Sequence, residues 1–120
     1  MEDTVKRLLE SAGMNVKDTM GRFMNNEAMY LKFLNKFLAD ETMQQLEAAC
    51  ERRDGRDIFM AAHTLKGIAG NLGMDALTDI LVPMNEAYRG EPDDSYPLDE
   101  NMEKLRICYK EVCSAIRQAV

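Results

Sequence analysis

His63 is the only histidine of the 120-residue chain, and it opens the segment His63-Thr64-Leu65-Lys66-Gly67-Ile68-Ala69-Gly70-Asn71-Leu72-Gly73. A neutral imidazole is a nucleophile near neutral pH and can accept a group and pass it on. Lys66 adds a cation three residues later, and Gly67 and Gly70 add backbone without side chains. The spacing has meaning because the segment is helical in pattern. Ile58, Ala62, Leu65, Ala69 and Leu72 recur at alternating steps of four and three, the stripe of an amphipathic helix. At about 100° per residue, His63 falls roughly 140° from the centre of that stripe, with Gly67 near 180°, Arg56 near 160°, Gly70 near 120° and Lys66 near 80°. The imidazole therefore shares an outward face with two cations and two glycines. Each glycine costs about 1 kcal/mol relative to alanine in a helix interior. Both lie off the apolar stripe, so close packing in the core does not explain them. Bare backbone one and two turns from the imidazole lets a second macromolecule come close to it.

The elements that must position this face are helices as well. A short helix is expected over about Thr4 to Ser11, ended by Gly13, and a second after the N-cap Asn15, running to about Met24. Asn25-Asn26 breaks the pattern, and the next helix carries Tyr30, Leu31, Leu34, Phe37 and Leu38 on one side and ends near Ala39. Asp40 can cap a helix with Met43, Leu46, Ala49 and Cys50 inside, and Asp54-Gly55 separates it from the His63 helix, which Gly73 ends. A further helix has Met74, Leu77, Leu81, Met84 and Tyr88 on its stripe, with Pro83 roughly opposite, where a kink is expected. An acidic, proline-bounded loop from Gly90 to Pro97 precedes a final helix from about Leu98 that buries Leu105, Tyr109, Val112, Ile116 and Ala119. Long helices with short connections favour antiparallel neighbours. The expected fold is all-α, an up-down-up-down antiparallel four-helix bundle with the short N-terminal helices covering one end, as a single domain over residues 1–120.

Bulk properties narrow the function. Hydrophobic residues make up 46% of the chain, enough for one core. A net charge of −6 disfavours nucleic acid or an anionic membrane as the main partner. The N-terminal residues lack the apolar run of a signal peptide and no stretch approaches a membrane span, so a cytoplasmic protein is expected. Cys50, Cys108 and Cys113 show no CxxC spacing, and with one histidine they argue against a structural zinc site. They read as reduced, mostly buried small hydrophobes. Ten methionines read first as adaptable core filler.

The run His63-x-Leu65-Lys66-Gly67-x-x-x-x-Leu72-Gly73 resembles the signature of histidine-containing phosphotransfer (HPt) domains, the His-to-Asp modules of two-component phosphorelays. A second stretch is similar to that family too: Gly13-Met14-Asn15, Arg22-Phe23, Asn25-Asn26, Tyr30, Leu34 and Phe37. Pro83 departs from the family's usual uninterrupted helix after the motif. The resemblance implies that His63 accepts a phosphoryl group from a receiver-domain aspartate or a histidine kinase and passes it to another receiver domain. It implies that Lys66 stabilises the phosphoryl charge and Gly67 gives access. The partners implied are receiver domains of response regulators or hybrid histidine kinases, with the chain a monomer. No cofactor is expected on this chain, and the Mg²⁺ is expected on the receiver.

Arg56, Phe59, Met60, Gly70 and Asn71 are the candidate receiver contacts. Phe59 and Met60 point to the His63 side of the helix, where permanently exposed apolar groups would be awkward. The alternative is that the N-terminal helices cover one or both. The rival function is a bundle that binds receiver or kinase domains without being phosphorylated, against which His63, Lys66 and Gly67 speak. An enzyme with its own turnover is disfavoured, since the chain has no phosphate-cradling glycine loop, no kinase signature and no second histidine for acid–base work.

Overall fold

Side-chain oxygens of Asn15, Asn26 and Asp54 each accept the backbone N–H three residues on, at 3.2, 3.0 and 3.1 Å. These bonds satisfy donors that a helix start leaves free, and they set three of the helix boundaries. In the computed structural model, which describes residues 1–120, seven helices follow one another. They are α1 (Asp3–Ser11), α2 (Val16–Arg22), α3 (Glu27–Phe37), α4 (Thr42–Arg52), α5 (Gly55–Asn71), α6 (Asp75–Ala87) and α7 (Leu98–Ala119). The fold is all-helical, as the periodicity predicts. Helix α2 stops at Arg22, short of the expected Met24, because Met24 and Asn25 both take left-handed backbone (φ 55° and 56°) that a helix cannot continue through. Asp40 does not sit at the N-cap position, yet its carboxylate accepts the Thr42 N–H at 2.8 Å and serves the same donors.

The α5 stripe is buried as expected: Ile58, Ala62, Leu65 and Ala69 are all inside. It packs between α4 and α6, and α6 in turn packs on α7. Ion pairs join α4 to α7, Arg53 to Asp99 at 2.9 Å and Arg106 to Glu47 at 2.6 Å. Their order, with the end of α4 meeting the start of α7, runs the two helices antiparallel. Leu31, Leu38, Tyr88, Tyr109 and Ala119, expected inside, are half-buried at the edge of the core. Pro83 lies within α6 but on its exposed side, where solvent can meet the carbonyl that loses its donor.

Helices α1 and α3 pack on α7, with the Phe37 and Tyr109 rings 5.6 Å apart. Two left-handed glycines tie the N-terminal segment to the α5–α6 turn. The Gly73 carbonyl (φ 73°) accepts the Asn15 N–H at 2.7 Å, and the Gly13 carbonyl (φ 84°) accepts the Ala76 N–H at 3.0 Å. A side chain at Gly13 would collide with Ala76 Cβ, and one at Gly73 with Thr19 Oγ1. The molecule is 45 Å long, more than the roughly 33 Å of α7 alone.

All three cysteines are free, with Cys50 and Cys113 buried and Cys108 half-buried. Burial pushes the Cys50 and Cys108 thiols up to about 11, and the Tyr30, Tyr96 and Tyr109 phenols up to about 12. In each case the folded state holds the proton more tightly than the unfolded chain does. The resulting stability is intact below the ordinary thiol value and is lost as pH rises toward the folded values. Urea unfolding should therefore give a lower free energy at about pH 10.5 than at about pH 8, by on the order of 1 kcal/mol or more. An unchanged value would mean that these groups reach water in the folded state.

Candidate functional site

Burial of Ile58, Ala62, Leu65 and Ala69 turns the opposite side of α5 outward, and His63, Thr64 and Gly67 are exposed there. The imidazole forms no hydrogen bond with any other group of the protein. Its neighbour is Phe59, one turn earlier, whose ring lies nearly parallel to it at 15°, with centroids 5.8 Å apart. Over the Phe59 ring sits the Arg89 guanidinium, 5.4 Å from the centroid, from the residue after the α6 C-cap; Arg89 Nε also donates to Glu86 at 3.1 Å. Phe59 is half-buried in this arrangement and Met60 is 55% exposed. The N-terminal helices leave Met60 uncovered, and the groups stacked on Phe59 come from α5 and from the end of α6.

Lys66 is half-buried and its Nζ donates to Asn85 Oδ1 at 3.2 Å. Asn85 lies on the buried side of α6, 1% exposed, and its Nδ2 donates to the Phe59 carbonyl at 3.0 Å. Only this orientation of the amide serves both an ammonium donor and a carbonyl acceptor. The ammonium is thus anchored between the two helices and is not a freely swinging surface charge. A methyl group built on Gly67 or on Gly70 would meet nothing within 4 Å beyond its own helix backbone and chain neighbours. Both positions are open, as their placement off the stripe predicts.

The other candidates are spread along α5. Arg56 is exposed near the N-terminus of α5, about 10 Å along the axis from His63. Its side chain takes part in no hydrogen bond or ion pair within the protein. The Gly70 carbonyl accepts Arg22 Nη1 from α2 at 2.6 Å. Asn71 is exposed and lines an open cleft of about 420 Å³ between α3 and the end of α5, with Phe23, Phe33, Phe37, Ile68 and Leu72 among its walls. That cleft lies about two turns from His63. The structure therefore gathers His63, Phe59, Lys66 and Gly67 at mid-helix and places Gly70 and Asn71 beside the N-terminal helices. No group of three or more His, Cys, Asp or Glu side chains is gathered where it could hold a metal ion.

The sequence model of the Hpt domain family matches residues 33–119, spanning most of the chain and all of α4 to α7. The chain belongs to the Hpt domain family. Comparison with curated proteins and with solved structures gave no match. Hpt domains are phosphocarrier modules of two-component phosphorelays, without kinase activity, and they interact with receiver domains. No helix of this Hpt domain is long and apolar enough to cross a membrane.

Sequence reasoning missed Asn85 and Arg89. Asn85 did carry a signal: it follows Leu81 by four residues and so falls within the apolar stripe of α6, where an amide needs a partner. Arg89 carried none, since it lies beyond the helix end.

Two outcomes follow from this geometry. Asn85→Ala removes both bonds from a buried position and should destabilise the domain by about 1–3 kcal/mol, measured by urea unfolding; a neutral result would mean that Lys66 and the Phe59 carbonyl do not depend on the amide. Gly67→Gln should leave stability equal or higher, through helix propensity, yet slow phosphotransfer by roughly tenfold or more by displacing the incoming partner. Transfer at the wild-type rate would assign Gly67 another role.

Proposed function

We propose that this domain is a phosphorelay intermediate in which His63 accepts a phosphoryl group from a receiver-domain aspartate, or from a histidine kinase, and passes it to a second receiver. The observation that carries this reading is the exposed His63 beside Gly67, where an added Cβ would find no neighbour within 4 Å outside its own helix backbone. An unprotonated ring nitrogen attacks phosphorus, the N–P bond forms, the O–P bond to the aspartate breaks, and the carboxylate leaves. Delivery to the next receiver is the same exchange in reverse. Attacking and leaving atoms must lie roughly in line, so free approach to the imidazole edge counts for more than an enclosed pocket. The Mg²⁺ belongs to the receiver, and this chain's own contribution is the nucleophile, the anchored Lys66 ammonium and an open helix face. Met60 and Gly67 line the approach, with Arg56, Gly70 and Asn71 at its ends.

The scaffold for this role is read as an up-down-up-down antiparallel bundle of α4, α5, α6 and α7 in one domain, with α1 to α3 over one end. The helix neighbours and the α4–α7 ion pairs support it. A cytoplasmic monomer fits a module that meets receivers by diffusion. The adaptor reading, binding without phosphorylation, leaves the coincidence of an open Gly67, an anchored Lys66 and an unbonded His63 without a use.

The deciding experiment is incubation with a phosphorylated receiver domain. Wild type should acquire acid-labile phosphate and His63→Gln none, with an unchanged unfolding curve. Label that persists in the variant would move the carrier elsewhere. Lys66 should favour the phosphorylated state, since the phosphoryl group brings about two negative charges. Lys66→Ala should shift the transfer equilibrium away from this domain by several-fold, on the order of 1 kcal/mol, and the shift should shrink at high salt. Equal equilibria at low salt would leave Lys66 a structural partner of Asn85.

A further inference from the structure

His63 stands on a helix with two free side-chain torsions and no hydrogen bond to either ring nitrogen. A reactive histidine is ordinarily oriented by a bond to one nitrogen, which fixes the ring and leaves the other nitrogen for chemistry. That device is absent here. In its place lies the Phe59 ring, nearly parallel at 15° and 5.8 Å between centroids, with the Arg89 guanidinium over Phe59.

We propose that Phe59, with Arg89 over its ring, is the positioning residue for His63: a near-parallel aromatic platform that selects one imidazole orientation before a receiver arrives. The proposal deepens the phosphorelay reading and rests on it for its kinetic arm. Four observations converge on it. Phe59 and His63 are one helical turn apart, so their rings meet whenever both take the ordinary helical rotamers. Phe59 is half-buried and its backbone carbonyl is tied to the buried Asn85, so the platform is attached to two helices. Arg89 Nε also donates to Glu86 at 3.1 Å, an exposed pair that favours, without fixing, the guanidinium position over the ring. The near-parallel contact also uses neither imidazole nitrogen, so both stay free at the ring edge. The nitrogens lie on that edge, and a phosphoryl group adds in the ring plane, so this contact can persist through the transfer.

This role differs from receiver docking, which the position of Phe59 in the sequence first suggests. A docking residue changes how tightly the receiver binds, whereas a positioning residue changes how often the bound complex is in the reactive geometry. The test uses the whole chain and Phe59→Leu, which keeps an apolar side chain of helical preference and removes the aromatic plane. Phe59→Tyr serves as the conservative rescue. Two measurements are made on each protein: the NMR shifts and side-chain couplings of the His63 ring, and single-turnover transfer from a phosphorylated receiver over a range of receiver concentrations.

In wild type the His63 ring protons should show a ring-current shift from Phe59 and couplings of one rotamer. In Phe59→Leu both should be lost, and the saturated transfer rate should fall roughly two- to tenfold with half-saturation unchanged. Phe59→Tyr should restore both. Arg89→Ala, on an exposed residue, should give a smaller change in the same direction, which keeps the test decisive if Phe59→Leu unfolds. A rate loss carried by half-saturation alone, or an unchanged His63 spectrum in Phe59→Leu, would overturn the proposal. If wild-type His63 accepts no phosphoryl group, the phosphorelay reading fails, while the spectra still decide whether Phe59 orients the ring.

Discussion

Burial of the α5 stripe is the constraint on which the rest depends. Ile58, Ala62, Leu65 and Ala69 are inserted between α4 and α6, and each is 1% exposed or less. The insertion fixes the rotation of α5 about its own axis. A shift of one residue in that register would turn the helix by about 100° and carry His63 toward the core. Because apolar burial is the dominant favourable contribution to folding, the direction in which the imidazole points is as secure as the core itself. The core also tolerates what the site requires: two glycines in one helix weaken it by roughly 2 kcal/mol, a loss that tertiary packing of the stripe offsets.

The outward face is completed by α6. Asn85 reaches across to the Phe59 carbonyl and the Lys66 ammonium, and Arg89 reaches back over the Phe59 ring. A lysine that would otherwise sample many rotamers is held in one place, so less conformational entropy is lost when an anion meets it. An arrangement of this kind fits a module that contributes a positioned nucleophile and a cation and leaves the remaining chemistry to a partner.

The family match begins at Phe33, and α1 and α2 lie outside it. These helices are nonetheless joined to the end of the helix that carries His63. Asn15 bonds to the Gly73 carbonyl in the α5–α6 turn, Gly13 to the Ala76 N–H at the start of α6, and Arg22 to the Gly70 carbonyl. Gly70, which the sequence suggested as clearance for a partner, is open at its Cα and engaged through its carbonyl. Both statements hold because the side-chain position and the carbonyl of a helical residue point in different directions.

The amino-acid sequence by itself determined the helices, most of their boundaries and the face on which His63 lies. These follow from short-range physics: a period of 3.6 residues, caps such as Asn15, Asn26 and Asp54, and left-handed glycines at the ends of turns. Even the early end of α2 is a local event, set by left-handed backbone at Met24 and Asn25. Tertiary structure decided the partners of the site. Lys66 and Asn85 are 19 residues apart, and the Phe59 carbonyl and Asn85 are 26 apart, so neither contact has a fixed spacing to read. That Phe59 lies beneath an arginine depended on where the end of α6 falls against α5. That register is set by the packing of two apolar stripes, and no local pattern encodes it.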